Sequence, residues 1–164
     1  FGQGNTNCKR RLEGFERALG TVGLEFDQAY MIKLRTTGKG RHELFRQEVV
    51  DMLREPDRPT AFFAGNDTMA IEVYKAAESL GLSIPKDLSV VGYADLNYAE
   101  YIDPALTTVR QDGRALGQEA GRLVLERLGD PKLPPQHIYM PVELVARGSC
   151  APPREELYRQ NNKP

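Results

Sequence analysis

The chain has 164 residues and a formal net charge of −1, with 40% hydrophobic and 27% charged residues. These values describe a globular domain with a real core, and they argue against direct binding of nucleic acid, which favours a basic excess. No apolar run approaches the roughly 18 residues of a membrane span, and none resembles a secretory signal. Cys8 and Cys150 stand near opposite ends. They make no metal site and a poor disulfide framework, so a reducing cytoplasm is the expected compartment, with a single Cys8–Cys150 cross-link as the alternative. The start at Phe1-Gly2-Gln3-Gly4 reads as a cut inside a longer protein.

The pattern alternates between helix and strand. Residues 8–19 set Leu12, Phe15 and Leu19 on one helical stripe, with Thr6 and Asn7 as possible caps and Gly20 and Gly23 as stops. Residues 29–34 suit a strand, residues 36–40 a Gly-rich loop, and residues 42–54 a second helix ended by Pro56. Thr60–Ala64 is a short continuous apolar run, as expected of a strand buried on both faces of a parallel sheet. A helix follows over 68–80, closed by Gly81, then a buried strand over Leu88–Tyr93. The segment 96–102 is a short helix or loop and 107–109 a short strand; a helix spans 114–128 and a final strand 138–146. The polar tail from Ala151 is expected to be disordered or packed on a partner. Strand and helix in alternation predict an α/β fold, a parallel sheet sandwiched by helices. Residues 1–150 form the domain and 151–164 the tail.

Open α/β sheets bind ligands beyond the C-terminal ends of their strands. That rule points to Gly65-Asn66-Asp67 and to Gly92-Tyr93-Ala94-Asp95. Asp67, directly before a helix, is expected to cap it. Asn66 either joins that turn or offers its amide to a hydroxylated ligand. Arg11, in a run of three basic residues, either faces solvent or forks onto a ligand in the cleft. Asp95 suits a ligand hydroxyl or a helix cap, and Gln111 with Asp112 follows the third strand toward the same region. Along the helix at 68–80, Met69, Val73, Ala77 and Leu80 form the stripe expected to face the sheet. Ile71 and Tyr74 form a second stripe, which needs a dimer partner or another helix to cover it.

Catalysis has little support. His42 and His137 lie far apart without a nucleophile signature, and no Gly-rich phosphate loop, HExxH or paired CxxC occurs. No metal or cofactor is expected.

Several ordered blocks carry a resemblance. Arg11-Leu12-Glu13-Gly14-Phe15 is similar to an R-x-x-G-F helix start. Pro59-Thr60-Ala61 through Asn66-Asp67-Thr68-Met69-Ala70 resembles P-T-A-hydrophobic-x-x-N-D-x-M-A. Asp87 to Tyr93 resembles D-(I/L)-S-V-V-G-(Y/F), and Pro104 to Val109 resembles P-x-L-T-T-(I/V), followed by Gln111 and Gly117. In this order and spacing they resemble LacI/GalR-type transcriptional regulators, whose sensor domain is similar to periplasmic sugar-binding proteins. The resemblance implies the C-terminal lobe of a two-lobed sensor, with helix 114–128 packing on the N-terminal lobe. It implies a homodimer that meets DNA only through a domain absent from this chain. Arg11 and Asn66 match effector contacts, Gln111 a pocket-lining position and Tyr101 a dimer-interface position. The family's acidic residue after Gly-Tyr/Phe is here Ala94, with Asp95 next to it as a substitute. The expected function is sensing of a small molecule, a sugar by analogy. The alternative is an extracytoplasmic solute-binding protein of a sugar transporter.

Overall fold

The computed structural model describes residues 6–33 and 40–153. Helix α1 (Thr6–Thr21) leads to a 3-10 turn at Gln28–Tyr30, helix α2 (Arg41–Arg54) and strand β1 (Ala61–Phe63). Helix α3 (Asp67–Ser79), strands β2 (Ser89–Ala94) and β3 (Thr107–Gln111), helix α4 (Gly113–Gly129) and strand β4 (Val142–Val145) follow. The sheet order is β1-β2-β3-β4. Strands β1, β2 and β3 are parallel, with Phe62 opposite Val90 and Gly92 opposite Thr108. Strand β4 is antiparallel to β3, pairing Leu144 with Val109, so the expected all-parallel sheet carries one reversed edge strand. Alternation alone does not reveal this, because an edge strand can reverse without disturbing the crossovers before it.

Each helix end has a local cause. Asn66 takes extended backbone angles and its side chain accepts a hydrogen bond from Met69 N, so α3 begins there. Gly81, at φ +65°, ends it: Gly81 N donates to Glu78 O and Leu82 N to Ala77 O, the paired bonds of a Schellman stop. The same pair of bonds at Gly23 and Leu24 carries α1 through Gly20 to Thr21. Glu55, in front of Pro56, is extended and terminates α2. Asp112 caps α4 through Ala115 N.

The core lies between the sheet and the α2–α3 pair. Phe45, Val49, Val50 and Leu53 of α2 meet Ala70, Val73, Ala76 and Ala77 of α3, with Leu88, Val90 and Leu106 beneath. The buried stripe of α3 is therefore centred on its alanines and Val73, while Met69 and Leu80 pack only at its margin. Small residues let α2 and the sheet approach α3 from two sides. Tyr74 of the second stripe is partly covered by the chain itself, since its hydroxyl donates to Pro104 O at 2.9 Å. Burial of this phenol pushes its pKa up to about 12.

Residues 29–33 do not form the expected strand. Asp27 accepts a hydrogen bond from Ala29 N and winds the chain into the 3-10 turn instead. A β-prone run becomes a strand only beside a partner, and among the described residues none pairs with the outer edge of β1. Most of the expected Gly-rich loop, residue 34 and the tail beyond residue 153 lie outside the described residues. Helix α4 forms as expected but buries no residue. Leu116, Val124, Leu125 and Leu128 remain 50–74% exposed, so among the described residues little covers its apolar side. Both cysteines are free thiols.

Candidate functional site

An open cleft of about 450 Å³ lies beyond the C-terminal ends of the strands. Arg11, Gly14 and Phe15 of α1 form one wall, and Phe63, Tyr93, Val109 and Gln111 from the ends of β1, β2 and β3 form the other. Phe15 stacks on Phe63 with ring centroids 5.8 Å apart, which ties α1 to the sheet. Arg11 is held from two directions. Its Nη1 donates to Gly65 O at 2.6 Å, and its guanidinium lies 3.7 Å above the centre of the Tyr93 ring. A stacked and hydrogen-bonded guanidinium has lost most of its rotamer freedom before any ligand arrives, so its other donors are preorganised.

Arg11 and Gln111 thus come together. Asn66 does not join them directly: its Oδ1 caps α3, and its side chain lines a smaller adjoining pocket with Cys8, Arg41 and Met69. The link between the two pockets is Gly65, whose carbonyl Arg11 grips. Asp67, expected to be the cap, has a different task. It is the first residue of α3 and fully buried, with Oδ1 accepting from Thr108 Oγ1 at 2.6 Å and Oδ2 from Leu96 N at 2.7 Å. Both residues suit a cap by type, but Asn66 has the extended backbone of that position and Asp67 is already helical. Asp67 therefore fastens the start of α3 to β3 and to the loop after β2.

Asp95 is occupied within the chain. Arg147 Nη2 and Arg110 Nε each donate to it at 2.7 Å, one to each carboxylate oxygen. Burial raises its pKa, but the hydrogen bonds from the two arginines outweigh that effect and hold it below the usual carboxylate value. Ala94 and Asp95 turn through positive φ, +118° and +54°, a conformation that L residues hold only when contacts enforce it. The two ion pairs supply that enforcement at the end of β2. A depressed carboxylate stabilises the fold above its unfolded pKa, and the contribution is lost as pH falls through the folded value. Asp95→Asn is accordingly expected to lower stability at pH 7 but to narrow the gap between wild type and variant near pH 3. Urea midpoints at the two pH values measure this. An unchanged gap would mean the arginines do not stabilise the charged form.

Sequence reading missed Tyr93, Phe15 and Phe63 as walls of the cleft. Tyr93 had a signal, since an aromatic ring at the end of a buried strand faces the ligand end of the sheet. Arg147 had none; it lies 52 positions from Asp95. Ile71 and Tyr74 are half-buried, whereas Tyr101 is 80% exposed. Among the described residues no group of three or more His, Cys, Asp or Glu side chains could hold a metal ion, and no helix is long and apolar enough to cross a membrane.

Comparison with known proteins agrees with this fold. Residues 2–150 match the family described as periplasmic binding protein-like domain. The ribose operon repressor of Escherichia coli (strain K12) is 35% identical over 145 residues, covering 88% of this chain and 43% of that protein. The HTH-type transcriptional repressor PurR of Vibrio vulnificus (strain CMCP6) is 34% identical, covering 85% and 41%. This chain thus spans less than half the length of the curated relatives it matches. A solved LacI family transcriptional regulator from Enterococcus faecium with bound ribose has a TM-score of 0.75 and 33% identity, covering 90% of this chain and 53% of that one. The chain belongs to the periplasmic binding protein-like domain family.

Proposed function

We propose that this chain is the sensing and dimerising part of a cytoplasmic transcriptional regulator that binds a sugar-type effector and meets DNA through a separate domain. The observation that carries the reading is the cleft, where Arg11 is fixed by Gly65 O and Tyr93 beside Gln111. Fixed donors beside flat aromatic walls suit a polyhydroxylated ring, which presents hydroxyls at its edge and C–H groups on its faces. The relatives named as repressors, and the regulator solved with ribose, favour this reading over the transporter alternative. The proposed role involves no catalytic step. The exposed apolar side of α4 suits a second lobe that closes over the ligand. Closing shifts the population of DNA-competent molecules by the difference in ligand affinity between the two states. The test is to select DNA fragments bound by the complete gene product and titrate them with sugars. Sugar-dependent release or tightening at submillimolar concentration supports the reading. Absence of specific DNA binding contradicts it.

Dimerisation is proposed through Ile71, Tyr74 and Tyr101. Tyr74 spends its hydroxyl on Pro104 but keeps part of its ring exposed, and Tyr101 projects from the loop that holds Pro104. Tyr101→Asp is the clean probe, because the exposed side chain contributes little to the fold of one subunit. A buried, unpaired carboxylate at a two-fold interface occurs twice and costs several kcal/mol. Sedimentation should therefore show dimer for wild type and monomer for the variant at about 10 µM protein, well above a Kd near 1 µM. Identical sedimentation of the two proteins would remove Tyr101 from the interface.

A further inference from the structure

We infer that the effector of this cleft is an anionic sugar derivative, carrying a carboxylate or a phosphate group; this rests on the sensor reading above. The cleft lining contains two arginines, Arg10 and Arg11, and no carboxylate among the described residues. The acid nearest in sequence to Tyr93, Asp95, has one arginine on each oxygen. A second groove of about 450 Å³ continues the cleft along α4, sharing Asn7, Arg10, Tyr93, Gln111 and Val142 with it. Its one described carboxylate, Glu119, is ion-paired with Arg122. Arg10 stands where the two spaces meet. Its Nη2 donates to the Tyr139 hydroxyl at 3.1 Å and its guanidinium lies 5.1 Å from the centre of that ring. Arg10 thus also has an aromatic partner, but it is exposed and lies farther from its ring than Arg11 does from Tyr93.

Hydrogen-bond satisfaction then selects the ligand. Every hydroxyl of a neutral sugar brings a donor that needs an acceptor, and guanidinium groups have none to offer. Among the described residues, side-chain acceptors in the cleft lining are amides such as that of Gln111 and the Tyr93 hydroxyl, all neutral, and none is a carboxylate. A carboxylate or phosphate brings acceptors only, and matches a planar guanidinium with two parallel hydrogen bonds. The aromatic walls Phe15, Phe63 and Tyr93 hold the sugar ring, Arg11 addresses its near edge, and Arg10 receives the charged group toward the second groove.

Calorimetry on the complete gene product tests this with D-ribose, D-ribose 5-phosphate, D-galacturonate and inorganic phosphate as probes. The expected result is that the phosphorylated sugar or the sugar acid binds about tenfold or more tighter than D-ribose. Its affinity should fall as ionic strength rises from about 0.05 to 0.5 M, because salt screens the attraction between the anion and the arginines. The preference between the two anions distinguishes phosphate from carboxylate. Arg10→Gln and Gln111→Glu should each weaken the anion about tenfold, the second by placing a like charge in a site that keeps its shape. D-ribose binding as tightly as either anion, unaltered in Gln111→Glu, would overturn the inference and leave the sensor reading standing. Inorganic phosphate binding as tightly as the sugar phosphate would overturn it too, because the sugar would then contribute nothing. Binding of none of the probes overturns the anionic assignment, whereas the DNA titration separately decides the sensor reading.

Discussion

Gly92→Ala is expected to destabilise the domain by about 3–5 kcal/mol, enough to unfold a marginal protein. Gly92 lies in the middle of β2, opposite Thr108, where the chain passes over the buried Asp67 carboxylate. A methyl carbon built at this position would lie 2.2 Å from Asp67 Oδ1, 2.8 Å from Leu106 Cδ2 and 3.2 Å from Thr108 Oγ1. All three are side-chain ends, but each is fully buried, and Asp67 and Thr108 are held by the hydrogen bond between them. Overfilling a packed core costs about 1–3 kcal/mol. Displacing the carboxylate also weakens its hydrogen bonds from Thr108 and Leu96, and loss of such a charge-assisted bond costs about 1.5–3 kcal/mol. Urea unfolding of wild type and variant measures the difference. A loss below about 1 kcal/mol would mean that Asp67 shifts freely and does not tie α3 to β3. The requirement for glycine here is one of space, not of backbone angle.

Arg11→Ala is expected to weaken effector binding by about 10- to 150-fold, the equivalent of losing about 1.5–3 kcal/mol from a hydrogen bond to a charged donor. The same change removes the cation–π contact with Tyr93 and frees Gly65 O, which loosens the junction with the Asn66 pocket. Arg11→Lys should recover only part of the loss, since an ammonium is a point donor and cannot both stack on Tyr93 and hold Gly65 O. DNA affinity in the absence of effector should stay near wild type, because Arg11 belongs to the cleft and not to the proposed dimer surface. Calorimetry on the complete gene product reads the affinity and filter binding reads the DNA. Unchanged effector affinity in the Ala variant would place the ligand elsewhere.

The division between what was legible in the sequence and what was not follows contact range. Helix ends at Gly23, Glu55 and Gly81 have causes within a few residues, and the elements they bound were readable. Gln111 was readable as a cleft residue because strand ends in an open α/β sheet share one side, whereas Arg11, on α1, was assigned there only through the family resemblance. The roles of Asn66 and Asp67 were not, because both residue types suit a cap. Their assignment depends on backbone angles and on Thr108, which lies 41 positions away. Asp95 looked like a ligand contact for a similar reason. Its partners, Arg110 and Arg147, reach it only after β3 and β4 have paired. The strand expected over 29–34 failed because strand propensity is not a property of a segment alone. The exposed apolar side of α4 was readable only through the family resemblance, which implies a second lobe there.

Hydrogen exchange of the complete gene product, free and saturated with the tightest-binding sugar, locates the effector on the chain. If the ligand sits in the cleft, protection should rise at backbone amides around residues 7–15, 63–66, 93 and 109–111. Slowing by about tenfold or more would correspond to at least 1.4 kcal/mol of added local stability. Amides in the middle of α2 should not respond. Protection confined to α3 and the 96–104 loop, with none around Arg11, Tyr93 and Gln111, would contradict the assignment of this cleft as the effector site.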